Sequence, residues 1–193
     1  MKHLPKNIEK EIKIRVDSLA PIQLKLEEKG AKFHGKAFQR TVRFDSENLD
    51  LESSKTFIRV RSGFNNVVTL KKKVNTNKNV FERVELETEV KDIEVMRQIF
   101  HYLGYTKEFI MEKYRSNWSY RGTEISFDEM PFGHFVEIEG EEDDILKTVN
   151  ELGLNIDRKI TVTYWDLFDE YKKKTGAEGD NIVFPKGYHS LNK

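Results

Sequence analysis

The feature that most constrains this chain is a period-two alternation of charged and aliphatic residues that recurs in run after run. Over residues 8 to 16, Glu9, Glu11, Lys13 and Arg15 share one parity while Ile8, Ile12, Ile14 and Val16 share the other. Successive side chains of a strand point to opposite faces, so such a run is a strand with one charged and one apolar face. The pattern returns at 56–61, where Phe57, Arg59 and Arg61 oppose Ile58 and Val60, and at 81–90, where Arg83, Glu85, Glu87 and Glu89 oppose Val84 and Leu86. Runs at 38–45, 67–73, 109–118, 124–129 and 134–139 bring the expectation to eight strands. The turn Gly63-Phe64-Asn65-Asn66 marks a hairpin, and a polar loop is read over 75–79.

Four helices are expected around these strands. The first follows Asp17-Ser18, read as its N-cap, and ends at Gly30; the second spans Asp92 to Gly104; the others cover Glu142 to Leu152 and Thr161 to Lys174. Each carries an apolar stripe able to cover the aliphatic face of a sheet. Residues 1–175 are read as one domain, and 176–193, which show no clear period, as a loosely held tail.

Acidic and basic positions are segregated by strand: Glu9/Glu11, Glu85/Glu87 and Glu137/Glu139 against Arg59/Arg61, Lys71/Lys73 and Lys113/Arg115. If the strands curl into an eight-stranded antiparallel closed β-barrel with flanking helices, an α+β fold, these charges line a lumen. That lumen cannot be dry, since burying an unpaired ion costs several kcal/mol and whole domains are stable by only about 5–15 kcal/mol. Carboxylates two residues apart on a strand supply oxygens for a hard divalent metal, and Arg and Lys supply donors for phosphate oxygens. A metal-bound polyphosphate satisfies both.

Composition narrows the alternatives. The 193 residues hold 33 Lys+Arg and 33 Asp+Glu, so a cationic excess of the kind that binds nucleic acid is absent. There is no cysteine, which excludes disulfides, thiolate metal sites and cysteine nucleophiles. No apolar run approaches the roughly 18 residues of a membrane span, and Met1 to Lys6 lacks the apolar core of a signal peptide. A cytoplasmic protein without a membrane partner is expected. The five histidines show no zinc spacing, and the Lys172-Lys173-Lys174 run suits a helix C-terminus. Trp118 and Trp165 read as core or rim aromatics, and Arg15, Lys73 and Glu89 as solvated charges near an opening.

Several motifs, in order, resemble the CYTH superfamily of triphosphate tunnel metalloenzymes. They are Glu9-Lys10-Glu11-Ile12-Lys13, Phe57 to Arg61, Thr69-Leu70-Lys71, Arg83 to Glu87, Glu112 to Arg115, Ser126-Phe127-Asp128 and Phe135 to Gly140, with Tyr164 to Leu167 last. The layout from Ser126 to Gly140 is most similar to the class IV adenylyl cyclase-like branch. The resemblance implies catalytic roles for Glu9, Glu11, Lys13, Glu137 and Glu139. It implies Mg2+ or Mn2+ on Glu9, Glu11, Asp128, Glu137 and Glu139, a phosphate clamp of Lys13, Arg59, Arg61, Lys71, Lys113 and Arg115, and support from Glu85, Glu87 and Lys159. The implied partner is a small-molecule triphosphate (ATP, tripolyphosphate or thiamine triphosphate), and a homodimer is left open. Two departures bear on the substrate: Thr41-Val42-Arg43-Phe44 stands where many relatives carry Asp-x-Tyr-Phe, and Thr163-Tyr164 where Ser-Tyr is common. Conversion of ATP to cyclic AMP and pyrophosphate, triphosphate hydrolysis, and triphosphate binding without catalysis all stay open.

Overall fold

The computed structural model describes residues 8–73 and 81–188, with side chains over 10–72 and 84–188. The residues before 8, the polar loop expected at 75–79 and the tail from 189 lie outside the described residues. The fold is α+β, a large antiparallel sheet with helices packed on it. In chain order the elements are β1 (Ile8–Val16), α1 (Ala20–Glu28), β2 (Lys32–Asp45), α2 (Asp50–Ser53), β3 (Thr56–Ser62), β4 (Val67–Lys73) and β5 (Phe81–Glu89). They continue with α3 (Ile93–Tyr102), β6 (Lys107–Tyr120), β7 (Thr123–Met130), β8 (Gly133–Glu139), α4 (Glu142–Leu152), β9 (Lys159–Ile160) and α5 (Tyr164–Thr175).

The strands pair in the order β5-β4-β3-β2-β6-β7-β8-β1-β9, and β1 pairs in addition with β5. A strand has two edges, and β1 uses both. One edge meets β8 from Glu11 to Val16; the other meets β5 from Ile8 to Glu11 and then β9 at Lys13 and Ile14.

The alternation predicts eight strands, and the described residues form nine. The addition, β9, is two residues long, too short for a period to register. Strand β2 starts at Lys32 rather than residue 38, because it follows β6 past a register shift between Phe33 and Gly35 that interrupts alternation. The expected cap of α1 is corrected too: its N-cap is Leu19, with no side-chain hydrogen bond, and Asp17 instead pairs with Arg158 at 3.0 Å. Helix α2, unexpected in a turn-rich stretch, is held by the Asp45 carboxylate, which accepts from the N–H groups of Ser46, Leu51 and Glu52 at 2.8, 3.0 and 3.0 Å.

The aliphatic faces are covered as the helix stripes imply. Helices α1 and α4 bring Leu26, Ile145, Val149 and Leu152 onto Ile12, Ile14, Ile125 and Ile138. Helix α3 brings Phe100 onto Val42, Phe44 and Val60. Helix α5 behaves differently. Its Tyr164 and Phe168 pack on Met111 and Phe135, which share the parity of the charged residues Lys113 and Glu137. The charged face therefore turns apolar at one end, and α5 is seated there. None of the described helices is long and apolar enough to cross a membrane.

The tail departs from expectation. Strand β7 pairs β6 only from Tyr114 to Tyr120, leaving the earlier part of that β6 edge without a strand. Residues after α5 fill it: Ile182 donates its N–H to Ile110 O at 2.8 Å and accepts from Glu112 N at 2.7 Å. Asn181 Oδ1 accepts from Ile110 N at 2.8 Å, and the Tyr188 hydroxyl donates to Glu129 at 2.7 Å. Phe184 and Tyr188 stack on each other, and each ring packs near Tyr114. The segment has no period because it is pinned by single residues against an edge rather than by a repeating face.

Ile182 is fully buried. Ile182→Ala is expected to lower unfolding free energy by about 2–5 kcal/mol in urea titrations, the usual cost of truncating a core isoleucine. A change below about 0.5 kcal/mol, the range of ordinary surface substitutions, would mean the tail does not pack here in solution.

Candidate active site

The sheet's pairing order sorts the charges. Passing through the β1–β5 pairing, carboxylates occupy four consecutive strands: Glu85 and Glu87 on β5, Glu11 on β1, Glu137 and Glu139 on β8, and Asp128 on β7. Cations occupy the next four: Lys113 and Arg115 on β6, Arg43 on β2, Arg59 and Arg61 on β3, and Lys71 on β4, with the two-residue β9 outside both sets. Lys13, on β1, is the exception.

All of these but Asp128 face a cavity of about 360 Å3, which is also reached by Thr163, Tyr164 and Trp165 at the start of α5. Among the described residues that line it are seven Lys and Arg side chains and five glutamates, and Asp128 holds two of those cations from beneath. Glu9 lies opposite Arg83 in the β1–β5 register, but its side chain is outside the described residues.

Opposite charges meet mainly at the two seams between the arcs. At the β4–β5 seam Lys71 pairs with Glu85, Arg61 reaches Glu87 at 3.4 Å, and the Thr69 hydroxyl donates to Glu87 at 2.8 Å. Arg59 stands 4.0 Å from both Glu85 and Glu87 and donates through Nε to Thr69 Oγ1 at 3.3 Å. Burial and the adjacent Arg59 charge pull the Arg61 guanidinium down to about 10. Its buried Nε has no hydrogen-bond partner. Cations crowded to this degree favour an anion between them.

At the β6–β7 seam Asp128, with no exposed surface, accepts from Arg115 Nε and Nη2 at 2.6 Å each, from Lys113 at 2.9 Å and from the Tyr164 hydroxyl at 2.7 Å. Arg115 also reaches Glu137, which Lys13 meets at 3.0 Å, and the Lys13 ammonium lies 4.3 Å above the Tyr164 ring. Burial alone would raise the Asp128 carboxyl, but Arg115 and Lys113 outweigh it and hold it low. Glu137 is likewise opposed by burial, yet Lys13 and Arg115 keep it well below the usual range. Burial and the Arg115 charge bring Lys113 down to about 7, only partly offset by Asp128 and Glu137. Burial and Asp128 together raise the Tyr164 phenol far above its ordinary value.

Most of the residues named from sequence converge here: Glu11, Lys13, Arg59, Arg61, Lys71, Lys113, Arg115, Glu137, Glu139, Glu85 and Glu87 all line the cavity. Asp128 does not line it; its carboxylate is engaged beneath the surface by three donors. Lys159 is also outside the lining, on β9 opposite Ile14. Arg15 is exposed and donates to the Phe132 carbonyl at 2.7 Å, passing close to Gly133. Glu89 is exposed and accepts from Asn65. Arg43, from the Thr41-Val42-Arg43-Phe44 run that departs from the acidic pattern of relatives, is an added positive charge in the lining, as that departure allows for Arg40 or Arg43, whereas sequence reasoning missed Tyr164 as the donor that completes the Asp128 knot. The signal for Tyr164 was its place at the head of an amphipathic helix, but nothing in a helical period says that the helix enters a charged cavity.

The donor chemistry for a divalent cation is present. Glu11 and Glu139 are register partners on β1 and β8, and both line the cavity. Carboxylate oxygens on neighbouring strands suit a hard cation that completes its shell with ligand oxygens and water. Glu137 is committed to Lys13 and Arg115, and the described residues contain no ready cluster of three or more metal-ligating side chains.

Comparison with known proteins gives a consistent picture. A family model described as CYTH domain matches residues 7–164. A Methanocaldococcus jannaschii protein with a provisional adenylate cyclase name is 30% identical over 171 residues, covering 83% of this chain and 98% of that protein. The solved structure of PH1012 from Pyrococcus horikoshii superposes with a TM-score of 0.70 at 27% identity, covering 81% of this chain and 96% of that one. HpAC1 from Hippeastrum, a provisional adenylyl cyclase described as having a dominant triphosphatase activity, shares the fold with a TM-score of 0.60 at 18% identity, over 84% of this chain and 96% of its own.

Asp128→Asn leaves two buried cations without their carboxylate and is expected to cost about 3–5 kcal/mol at pH 7. The sign with pH follows from the lowered folded-state carboxyls: their stabilisation is full above the unfolded carboxylate range and fades as pH falls through the folded values. Urea titrations should therefore show the wild type losing stability below about pH 5, and the variant losing less. Equal stability of the two proteins at pH 7 would contradict the knot.

Proposed function

Because the chain belongs to the CYTH domain family, we propose that it is a phosphoryl-transfer enzyme acting on a triphosphate held in the charged cavity. The observation that carries this reading is the cationic arc, with seven Lys and Arg side chains lining the cavity against five glutamates. A linear polyanion relieves the crowding of Arg59 and Arg61. The β1–β5 pairing supports a further step, that the sheet acts as a tunnel around the substrate.

Each side chain has a definite task in this scheme. Arg59, Arg61, Lys71 and Arg43 donate to phosphate oxygens and hold the chain straight, which in-line displacement requires. Arg115, tied to Asp128 and Glu137, is a fixed positive charge that does not reorganise as oxygen charge develops. Lys113, with a pKa of about 7, can give or take a proton at Nζ near neutral pH. Lys13 sits between Glu137 and the Tyr164 ring, facing the same space. Mg2+ or Mn2+ on Glu11 and Glu139, with Glu9 beside them on β1, would supply further neutralisation of phosphate charge when bound.

Two reactions fit this clamp. In cyclisation, the ribose 3′-oxygen bonds to the α-phosphorus of ATP as its bond to the bridging oxygen breaks, releasing pyrophosphate. The adenylate cyclase name of the Methanocaldococcus relative supports it. In hydrolysis, a water oxygen bonds to the terminal phosphorus as the bond from that phosphorus to the bridging oxygen breaks, the water gives up a proton to solvent, and orthophosphate leaves, a reaction that needs no site for an organic group.

Incubation with Mg2+ or Mn2+ and ATP, tripolyphosphate or thiamine triphosphate, followed by phosphorus NMR, separates the outcomes. Cyclic AMP with pyrophosphate identifies the cyclase, and orthophosphate identifies the triphosphatase. Absence of products with all three would overturn an enzymatic role. Arg59→Ala should weaken tripolyphosphate binding at least about tenfold, the scale of one lost charge-assisted hydrogen bond. Unchanged affinity in a calorimetric titration would remove Arg59 from the clamp. Lys113 should gain a proton when a polyanion arrives. Tripolyphosphate binding at pH 8 is thus expected to take up more protons, or release fewer, in the wild type than in Lys113→Met, read from heats in buffers of different ionisation enthalpy.

A further inference from the structure

The segment after α5 stands behind the charged cavity without lining it. Ile182 bridges Met111 on β6, and its side chain joins the buried cluster that holds Met111 together with Tyr164 and Phe168 of α5. Met111 and Tyr164 both line the cavity, and the Tyr164 hydroxyl is one of the donors to Asp128. Asp180 adds a second tie to α5, reaching Lys172 at 3.3 Å. One short stretch of chain thus grips both the β6 edge and the helix seated at the end of the charged face.

Its grip is slight for that position. Over residues 178–188 only Ile182 is buried. The two main-chain bonds to the β6 edge are both made by Ile182; Asn181 accepts from Ile110 N, Phe184 N donates to the Glu112 carboxylate at 3.1 Å, and Tyr188 donates to Glu129. Between α5 and this edge the chain turns through Gly176 and Gly179, at φ of +73° and +86°, a conformation glycine reaches without steric cost. One buried anchor, an exposed backbone and two glycine turns are the marks of a segment that opens locally, far below global unfolding.

Opening bears on the cavity because both share α5. A ligand in the cavity meets Thr163, Tyr164 and Trp165 only while α5 is seated, and the apolar cluster that receives Ile182 is complete only in that state. Two partners that select the same state of one element strengthen each other, reciprocally and by the same factor. We propose that the docked tail is a latch on α5 that is coupled to polyanion binding: docking tightens the cavity's hold on a polyanion, and a bound polyanion holds the tail shut. The inference rests on the charged cavity holding a polyanion. The latch lies beyond residue 164, where the match to the family model ends.

Amide hydrogen exchange of the full chain, followed by NMR with and without saturating tripolyphosphate, tests the coupling on the unmutated protein. The Ile182 N–H is expected to exchange faster than the Val149 N–H of the core helix α4, and tripolyphosphate should slow it at least about fivefold, the lower end of ordinary coupling between sites. Asn181→Ala combined with Tyr188→Phe removes two outer anchors and leaves the buried Ile182 in place. That variant should exchange the Ile182 N–H about tenfold faster, the scale of two lost hydrogen bonds, and tripolyphosphate should slow it by the same factor as in wild type. Tripolyphosphate that binds by calorimetry yet leaves Ile182 exchange unchanged would overturn the latch and keep the charged-cavity reading intact. Ile182 exchange as slow as that of Val149 would also overturn it, because the tail would then open only with the whole fold. If tripolyphosphate does not bind at all, the charged-cavity reading fails and this inference fails with it.

Discussion

A sheet face built of ions can be enclosed only if each ion finds a partner, and the structure is organised around that requirement. The four-way contact of Asp128 with Lys113, Arg115 and Tyr164 is its clearest expression, because a carboxylate without exposed surface would otherwise cost several kcal/mol. Arg115 carries the network on to Glu137, and Lys13 closes it on β1. This knot fixes Lys113 and Arg115 in position beneath the cavity, and carboxylates of β5 hold Lys71 and Arg61 at the other seam.

The same constraint explains the placement of α5 and the tail. Enclosure needs an apolar stopper where the charged face ends, and Met111 and Phe135 provide its seat. Tyr164 then serves both environments, its ring against Phe135 and its hydroxyl on Asp128. The tail secures the β6 edge beside Lys113 through Ile182 and Asn181. Rigid positioning of the clamp thus depends on elements remote in sequence from it.

Much of this was legible because alternation reports directly on which residues share a face. The strands carrying Glu11, Arg59, Lys71, Lys113 and Glu137, and the convergence of these side chains, follow from parity alone. Their order around the sheet does not, since parity says nothing about which strand pairs with which. That is why the sorting into acidic and basic arcs emerges only with the register. Asp128 illustrates a second limit: its parity puts it on the charged face, but its depth, which makes it a partner of cations, depends on the neighbours that cover it. The tail was illegible for a different reason, because isolated contacts such as those of Ile182 and Tyr188 leave no periodic trace.

If a linear chain of phosphates lies between the two arcs, a crystal structure with a non-hydrolysable triphosphate analogue will show phosphate oxygens within hydrogen-bonding distance of Arg59, Lys71 and Lys113, with the Asp128 knot unchanged. An analogue bound outside the cavity, with these three side chains untouched, would contradict it.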